Sequence, residues 1–358
     1  MSKKNKTVFV GLSGGVDSSV TVALLKQQGY SVVGVYIRTW QPDFIECTAK
    51  EDRLDAMRTA AHLGIPFLEC GAEEEYKKSV ADYMISEYRK GRTPNPDVMC
   101  NREIKFGVFL SFAMSCGADY VATGHYARNI ETTEGFSLAT GIDPAKDQSY
   151  FLYRLTATDL ERVLFPLGTY KKSEVRELAK KFKLPTAVKK DSQGVCMLGD
   201  LDIKQFLAHY IEPKRGEVLG EDGAVVGYHD GAVFLTLGER HGFTITAKTP
   251  NDAPYYIIAK DVEKNTVTVS QKNTEGENSV LSKKEFTLSN VSWVREIPTV
   301  GKTYSAQIRY HGEYLQCSIV SNDNRDAVVE FENPVLVAPG QSVVLYEGEV
   351  CLGGGIVG

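Results

Sequence analysis

Ten residues into the chain, the run Gly11-Leu12-Ser13-Gly14-Gly15-Val16-Asp17-Ser18-Ser19-Val20 joins two segments of different hydrophobic period. Before it lies a short apolar stretch of β type, Thr7-Val8-Phe9-Val10. After it, residues 19–28 carry Val20, Ala23, Leu24 and Leu25 on one helical face. A strand, a Ser/Gly turn and a helix start together make an anion cradle. The glycines let the backbone approach phosphate oxygens, while Ser13, Ser18 and the free N–H groups of the first helical turn donate to them. Asp17 is a poor phosphate ligand by itself but suits a magnesium ion bridging the phosphates. An ordinary strand-to-helix turn is the bland alternative. The complete Ser-Gly-Gly-x-Asp-Ser string in strand-then-helix context argues against it. A Gly-Lys-[Ser/Thr] ending is missing, so γ-phosphate transfer is not implied.

The same rhythm continues through the first 160 residues. Strands are predicted at 7–10, 31–36, 66–69 and 120–123, with helices at 19–28, 49–63, 73–90 and 105–116. This alternation predicts a doubly wound parallel α/β sheet, Rossmann-like, with ligands at the carboxyl ends of its strands. Gly11, Ile37, Cys70, Gly124 and His125 all fall at such ends. Helical patterning persists at 173–182 and 203–210. After Pro213-Lys-Arg-Gly216 the chain changes to short strands with Gly and Asn turns, and a polar break follows at 271–279. Three domains are expected: an α/β catalytic domain (1–212), a small β-rich connector (213–278) and a C-terminal β-barrel (279–358).

The overall charge of −5 looks wrong for a partner of nucleic acid until it is divided along the chain. Residues 161–215 hold twelve Lys and Arg against seven Asp and Glu, among them Lys171-Lys172, Lys180-Lys181 and Lys189-Lys190. A local basic face is therefore available, although a solvated helix gives the same count. No apolar stretch approaches membrane-span length, and no signal core follows the N-terminal lysines. Seven cysteines in such a context point to reduced thiols and a cytoplasmic protein.

Two of those cysteines stand out. In Gly91-Arg-Thr-Pro-Asn-Pro-Asp-Val-Met-Cys-Asn-Arg-Glu-Ile-Lys-Phe106, prolines flank Asn95 and stiffen an extended turn. A helix is expected to start near Asn101. That puts Cys100 at its N-terminus, where the dipole, Arg102 and Lys105 favour thiolate. Asp97, three residues earlier, can act as a base or orient a ring N–H. Cys196 lies in Lys189-Lys-Asp-Ser-Gln-Gly-Val-Cys-Met-Leu-Gly199, a loop whose two lysines make it electropositive and open. A buried structural cysteine is the competing reading for each. Neither belongs to a CxxC or has a His at ligand spacing, which argues against zinc, and nothing resembles ferredoxin spacing. Cys47, Cys70, Cys116, Cys317 and Cys351 are expected in the core. Two further runs combine donors, cations and rings suited to phosphate contact and base stacking: Ala122-Thr-Gly-His-Tyr-Ala-Arg128 and Lys146-Asp-Gln-Ser-Tyr-Phe-Leu-Tyr153.

The first loop resembles the PP-loop of the ATP pyrophosphatases, which cut ATP between the α and β phosphates and place AMP on a carbonyl oxygen. With the other motifs, including Phe234-Leu-Thr-Leu-Gly-Glu-Arg-His-Gly242 and the terminal Gly348-Glu-Val-Cys-Leu-Gly-Gly-Gly355, the whole chain resembles the tRNA-specific 2-thiouridylases of bacteria and organelles. It departs at Phe234-Leu235, where a Tyr-His pair is usual, and at Met197-Leu198, where an aromatic is common. The resemblance implies ATP, with Mg2+ carried on its phosphates, as cofactor. Gly11, Leu12, Ser13, Gly14, Gly15, Val16, Asp17 and Ser18 would bind the phosphates, and Ile37 and Gly124 the adenosine. Asn95, Pro96 and Asp97 would meet the target uridine at the anticodon wobble position. Cys196 would carry a persulfide and Cys100 would resolve it, leaving a Cys100–Cys196 disulfide. His125, Lys146, Asp147, Gln148, Arg309, Tyr310 and Gln341 would touch tRNA. A sulfur-donor protein or a cysteine desulfurase is the further partner implied, and no membrane. The alternatives are a small-substrate ligase of the same loop class, which has no use for two paired thiols, and a non-catalytic tRNA-binding protein.

Overall fold

Val8, Phe9 and Val10 alternate across a surface that is covered on both faces, so an unbroken apolar run becomes the middle strand of a parallel sheet. In the computed structural model, which describes residues 6–44, 49–133, 135–191, 194–199, 201–246, 253–271, 282–323 and 325–358, seven strands precede residue 165. They are β1 (Thr7–Gly11), β2 (Ser31–Arg38), β3 (Phe67–Gly71), β4 (Tyr120–Ala122), β5 (Ala127–Thr132), β6 (Gly135–Thr140) and β7 (Val163–Leu164). The first sheet runs β3-β2-β1-β4-β7, parallel throughout. Its order reverses between β1 and β4, so the loops that follow these two strands open a crevice at the carboxyl edge. The helix Val16–Gln27 leaves β1, and Ala49–Leu63 follows β2.

The long helical stretch before β4 differs from expectation. It begins at Pro96 with Asn95 as its cap, whose side chain accepts from the Val98 N–H at 3.4 Å, and it runs without a break to Ser115. Asn95-Pro96 is a cap followed by proline at the first helical position, a start signal that outweighed the stiff-turn reading. Within it, Cys100–Val108 winds wider, with i→i+5 hydrogen bonds such as Phe109 N–H to the Ile104 carbonyl.

The second sheet comprises β8 (Gly216–Leu219), β9 (Val225–His229), β10 (Phe243–Ile245), β11 (Tyr256–Asp261) and β12 (Thr266–Ser270), in the order β10-β9-β8-β12-β11. The last part contains β13 (Lys283–Trp293), β14 (Thr303–Gln307), β15 (Leu315–Asn322), β16 (Ala327–Val335), β17 (Ser342–Glu347) and β18 (Val350–Val357). These close into a six-stranded antiparallel barrel through the β13–β18 pairing. The α/β sheet, the β-rich connector and the C-terminal barrel are thus all present. One feature was not anticipated: the β5–β6 hairpin leaves the α/β layer and adds to the barrel sheet, with Ala139 opposite Val350 and Leu138 opposite Cys351. A single apolar core follows, in which Phe106, Phe109 and Tyr150 share contacts with Val344, Tyr346 and Cys351. Cys70, Cys317 and Cys351 are buried as expected, Cys116 is exposed at a helix C-cap, and Cys47 lies outside the described residues. Among the described residues no helix is long and apolar enough to cross a membrane.

Candidate active site

At the head of β1 the chain turns through Leu12-Ser13-Gly14-Gly15 into the helix Val16–Gln27. Gly14 has φ +77°, and a Cβ there would collide with the backbone of Asp52. Only glycine lets the turn press against the next helix. Gly15 caps the helix in extended geometry with no side-chain cap bond. The first-turn N–H groups therefore face outward beside Ser13 and Ser18, whose hydroxyls lie 3.2 Å apart. Gly124, after β4, packs on the same turn. A Cβ there would sit 2.9 Å from the Ser18 nitrogen, so its missing side chain serves the chain's own packing.

Around this loop the structure gathers side chains from distant parts of the chain. Lys172 Nζ donates to both carboxylate oxygens of Asp17 at 2.8 Å, and the Tyr126 hydroxyl donates to Oδ1 at 2.8 Å. Lys172 also reaches Asp191 at 2.9 Å, where Lys146 at 3.1 Å and Arg176 converge. Burial alone would raise the Asp191 carboxyl, but its bonds to Lys172 and Lys146 hold it at about 2. A magnesium ion held by Asp17 does not fit this donor set. Its oxygens are taken by a lysine, and among the described residues no group of three His, Cys, Asp or Glu suits a metal. Asp17 is instead the anchor of Lys172, and any magnesium here would be held by nucleotide phosphates.

The second centre is the thiol pair. Cys100 and Cys196, 96 residues apart, bring their sulfurs to 3.3 Å, with Cys100 donating to Cys196. They lie in an apolar cluster with Tyr76, Ile104, Val195 and Leu198. Three bonds fix the Cys196 turn. Its N–H donates to Asp97 Oδ1 at 2.9 Å, the Tyr76 hydroxyl donates to its carbonyl at 2.6 Å, and Gln41 Nε2 donates to the Met197 carbonyl at 2.8 Å. Met197 takes φ +66°, a left-handed conformation that this network holds in place.

Two expectations about charge are corrected here. Cys100 is not at a helix start but a full turn inside, and it is completely buried. Its hydrogen bond to Cys196 and its burial push its thiol well above the ordinary value. Cys196 moves the other way, from 9.0 to about 7, through the bond from Cys100 and the charge of Lys105. The cation responsible is also not the Lys189-Lys190 pair, because Lys189 is bound at 2.8 Å to both Asp52 and Asp55. It is Lys105, half-buried, whose charge acts on both sulfurs. Arg102 is tied to Asp159 at 2.9 Å.

Lys105 follows Cys100 by five residues in the wide part of the helix. In a regular α-helix, residues five apart diverge by about 140° around the axis. Bonding from i to i+5 brings them over one another, so Cys100 and Lys105 share a face. Behind Lys105, His125 Nε2 lies 3.3 Å from Nζ, and Thr123 Oγ1 lies 2.7 Å from His125 Nδ1. Burial and the nearby lysine hold His125 well below its usual range, so it is neutral. Accepting from Lys105 on Nε2 leaves Nδ1 protonated and donating to Thr123. Burial raises the Asp97 carboxyl.

Several residues expected at tRNA do other work. His125 is buried between Phe106 and Phe165 and braces Lys105. Asp147 is buried and accepts from Gly141 N–H at 2.8 Å and from Ser149, so it builds a turn. Gln148 clasps the Tyr126 backbone at 3.1 Å. Gln341 donates to the Thr93 carbonyl at 2.8 Å, joining the barrel to the stretch before Asn95. Lys146 is partly exposed beside Asp191, and Arg309 is exposed. Tyr310 packs against Phe151 with ring centroids 4.3 Å apart and the rings tilted by 43°. Ile37 packs beside the thiol cluster, and Ser192 and Gln193 lie outside the described residues.

A parallel sheet with an uncapped Gly/Ser loop at its switch point, joined to two β modules, defines a HUP-type nucleotide-site protein with an added thiol centre. Family models agree in sequence order: a tRNA methyl transferase HUP domain over 6–200, a tRNA methyl transferase PRC-barrel domain over 204–271 and an aminomethyltransferase β-barrel domain over 283–357. The tRNA-specific 2-thiouridylase MnmA of Bacillus subtilis is 44% identical over 98% of this chain and 94% of its own length. Those of Chromobacterium violaceum and Enterococcus faecalis are each 44% identical, covering 98% and 100% of this chain and 92% and 96% of their own. The chain belongs to the tRNA-specific 2-thiouridylase family.

Proposed function

We propose that this member of a tRNA-uridine sulfurtransferase family replaces O2 of the wobble uridine of tRNA by sulfur, using ATP and a cysteine persulfide. The observation that carries the reading is a polarised thiol pair, 3.3 Å apart, in the same domain as a phosphate loop. An oxygen on a urea-like carbon is a very poor leaving group. Attack of uridine O2 on the α-phosphorus of ATP forms the O–P bond and releases pyrophosphate, and the oxygen can then depart as AMP. In this reading the first-turn N–H groups, Ser13 and Ser18 meet phosphate charge, and Lys172, held beside the loop by Asp17, adds its own. A persulfide on Cys196 attacks C2 through its terminal sulfur, giving a C2–S–S–Cys196 link as AMP leaves. Cys100 then attacks the Cys196 sulfur, forming a Cys100–Cys196 disulfide and freeing the thiocarbonyl. An external thiol must reduce that disulfide before the next turnover. The target base has to leave its stack to reach the pocket.

In this reading residues 1–212 hold the chemistry, while 213–278 and 279–358 hold tRNA, the latter through Arg309 and Tyr310. The site is cytoplasmic, and the persulfide comes from a donor protein or a desulfurase. The test measures AMP and pyrophosphate release with and without tRNA, together with mass spectrometry of tRNA from cells lacking the protein. Loss of 2-thiouridine in those cells, and pyrophosphate release that requires tRNA, are expected. Pyrophosphate release driven by a small amine or acid in place of tRNA would instead identify a ligase.

A further inference from the structure

An ammonium has three N–H bonds to give, and those of Lys172 are all taken. Two go to the carboxylate oxygens of Asp17 at 2.8 Å and one to Asp191 at 2.9 Å. Asp17 belongs to the first turn of the helix that leaves the phosphate loop, whereas Asp191 lies five residues before Cys196. One lysine, its side chain only 14% exposed, therefore ties the two centres of the molecule together. The charges around it are already matched. Lys146, Lys172 and Arg176 face Asp17 and Asp191, and Asp143 stands beside them, accepting the Lys172 backbone N–H at 2.8 Å. Three cations against three carboxylates leave Lys172 neither a spare donor nor spare charge for a phosphate oxygen. A nucleotide can engage it only in exchange for a carboxylate. We propose that Asp191 is a positioning residue that holds the Cys196 turn to Lys172 and yields that contact to phosphate when a nucleotide binds.

The inference rests on the phosphate-loop reading above and adds a link from that loop to the thiols. Which carboxylate yields follows from what each would keep. Asp17 would lose two bonds to Lys172 and retain the one from the Tyr126 hydroxyl. Asp191 would lose a single bond and retain both Arg176 and Lys146. Releasing Asp191 therefore disrupts less. Anchors remain on either side of it. Upstream, Arg176 holds the Ala187 and Lys189 carbonyls, and Lys189 stays paired with Asp52 and Asp55. Downstream, Asp97, Tyr76 and Gln41 grip the Cys196 turn through its backbone. The turn thus shifts without unravelling, and its thiol becomes more open to a sulfur donor once ATP is in place. Linkage requires the converse as well: ATP must bind more tightly when Asp191 no longer competes for Lys172.

The test measures the rate at which iodoacetamide alkylates Cys196, read by peptide mapping, with adenosine or ATP present and neither tRNA nor donor. Calorimetric titration gives the ATP affinity of the same samples. In the wild type, ATP should speed alkylation of Cys196 by about fivefold or more over adenosine, which carries no phosphate. Asp191→Asn should react as fast without nucleotide as the wild type does with ATP, and ATP should add nothing further. The same variant should bind ATP about fivefold more tightly, a gain that mere loosening of the turn would not produce. Failure of ATP to bind the wild type would strike the phosphate-loop reading and the inference with it. ATP that binds while Cys196 reacts as it does with adenosine overturns the inference alone, and this measurement stands even if Asp191→Asn does not fold. Unchanged ATP affinity in a folded Asp191→Asn protein overturns it as well.

Discussion

At the scale of single residues, the two thiols differ in the hydrogen bond between them and in burial. Cys196 accepts that bond; Cys100 donates it and is fully buried. Cys196→Ser should abolish persulfide loading, because a hydroxyl cannot accept sulfane sulfur. Cys100→Ser should still load Cys196 and fail to release 2-thiouridine. Labelled sulfur, located by alkylation and peptide mapping, checks both, and label retained on Cys100 in Cys196→Ser would reverse the roles. Loading depends on the anion, which is lost as pH falls through about 7. Below that point the loading rate should drop about tenfold per pH unit, and a rate flat from pH 8 to about pH 5 would refute it. Asp17 presents a different case. Its carboxylate fixes Lys172 and Tyr126 beside the phosphate loop. Asp17→Ala should cut ATP cleavage by about a hundredfold or more while Cys196 still loads. Near-normal pyrophosphate release would rule that out.

At the scale of elements, the loop after β1 was the most legible part of the chain, since every residue in it does a local job. Gly14 is the tightest case, combining a left-handed φ with direct contact against Asp52. Gly14→Ala should cost about 1–3 kcal/mol in stability and abolish nucleotide binding, as thermal melts and ATP titration would report. Wild-type ATP affinity in a stable Gly14→Ala protein would count against the loop as the phosphate site. The helix from Pro96 was harder to read. Its cap was written in the sequence as Asn95-Pro96, yet the flanking prolines also fit a turn, and local pattern could not decide between them. The wide winding at Cys100–Val108 leaves no compositional trace, because it depends on what packs around it. That is why Lys105 was visible as a nearby cation but not as the residue that His125 braces. Tyr126 and Lys172 were hidden for a related reason. Each reaches Asp17 from more than a hundred residues away, and sequence spacing carries no such information.

At the scale of the molecule, the barrel is joined to the catalytic layer by backbone as well as side chains. Arg92 donates to the Val357 carbonyl at 2.9 Å, Tyr150 donates to the Ser342 carbonyl at 3.0 Å, and Gln341 reaches Thr93. Arg309 is exposed on the barrel, and the Tyr310 ring packs tilted against Phe151, two residues before Tyr153 of the catalytic part. Replacing Arg309 and Tyr310 together by Ala should raise the tRNA Kd by about tenfold and leave ATP affinity unchanged. Filter binding and nucleotide titration separate the two, and an unchanged tRNA Kd would remove this pair from the interface.

The β5–β6 hairpin has a consequence for how the chain is made. Ala139 and Leu138 pair with Val350 and Cys351 of β18, a strand synthesised long after the hairpin. While the ribosome works through the connector and most of the barrel, β6 has no partner on that side. The catalytic half therefore waits with an open strand edge, the kind of surface that recruits other chains. Only when β18 emerges is the edge closed, so a chain stopped short of β18 carries both cysteines and the phosphate loop yet still exposes the edge of β6.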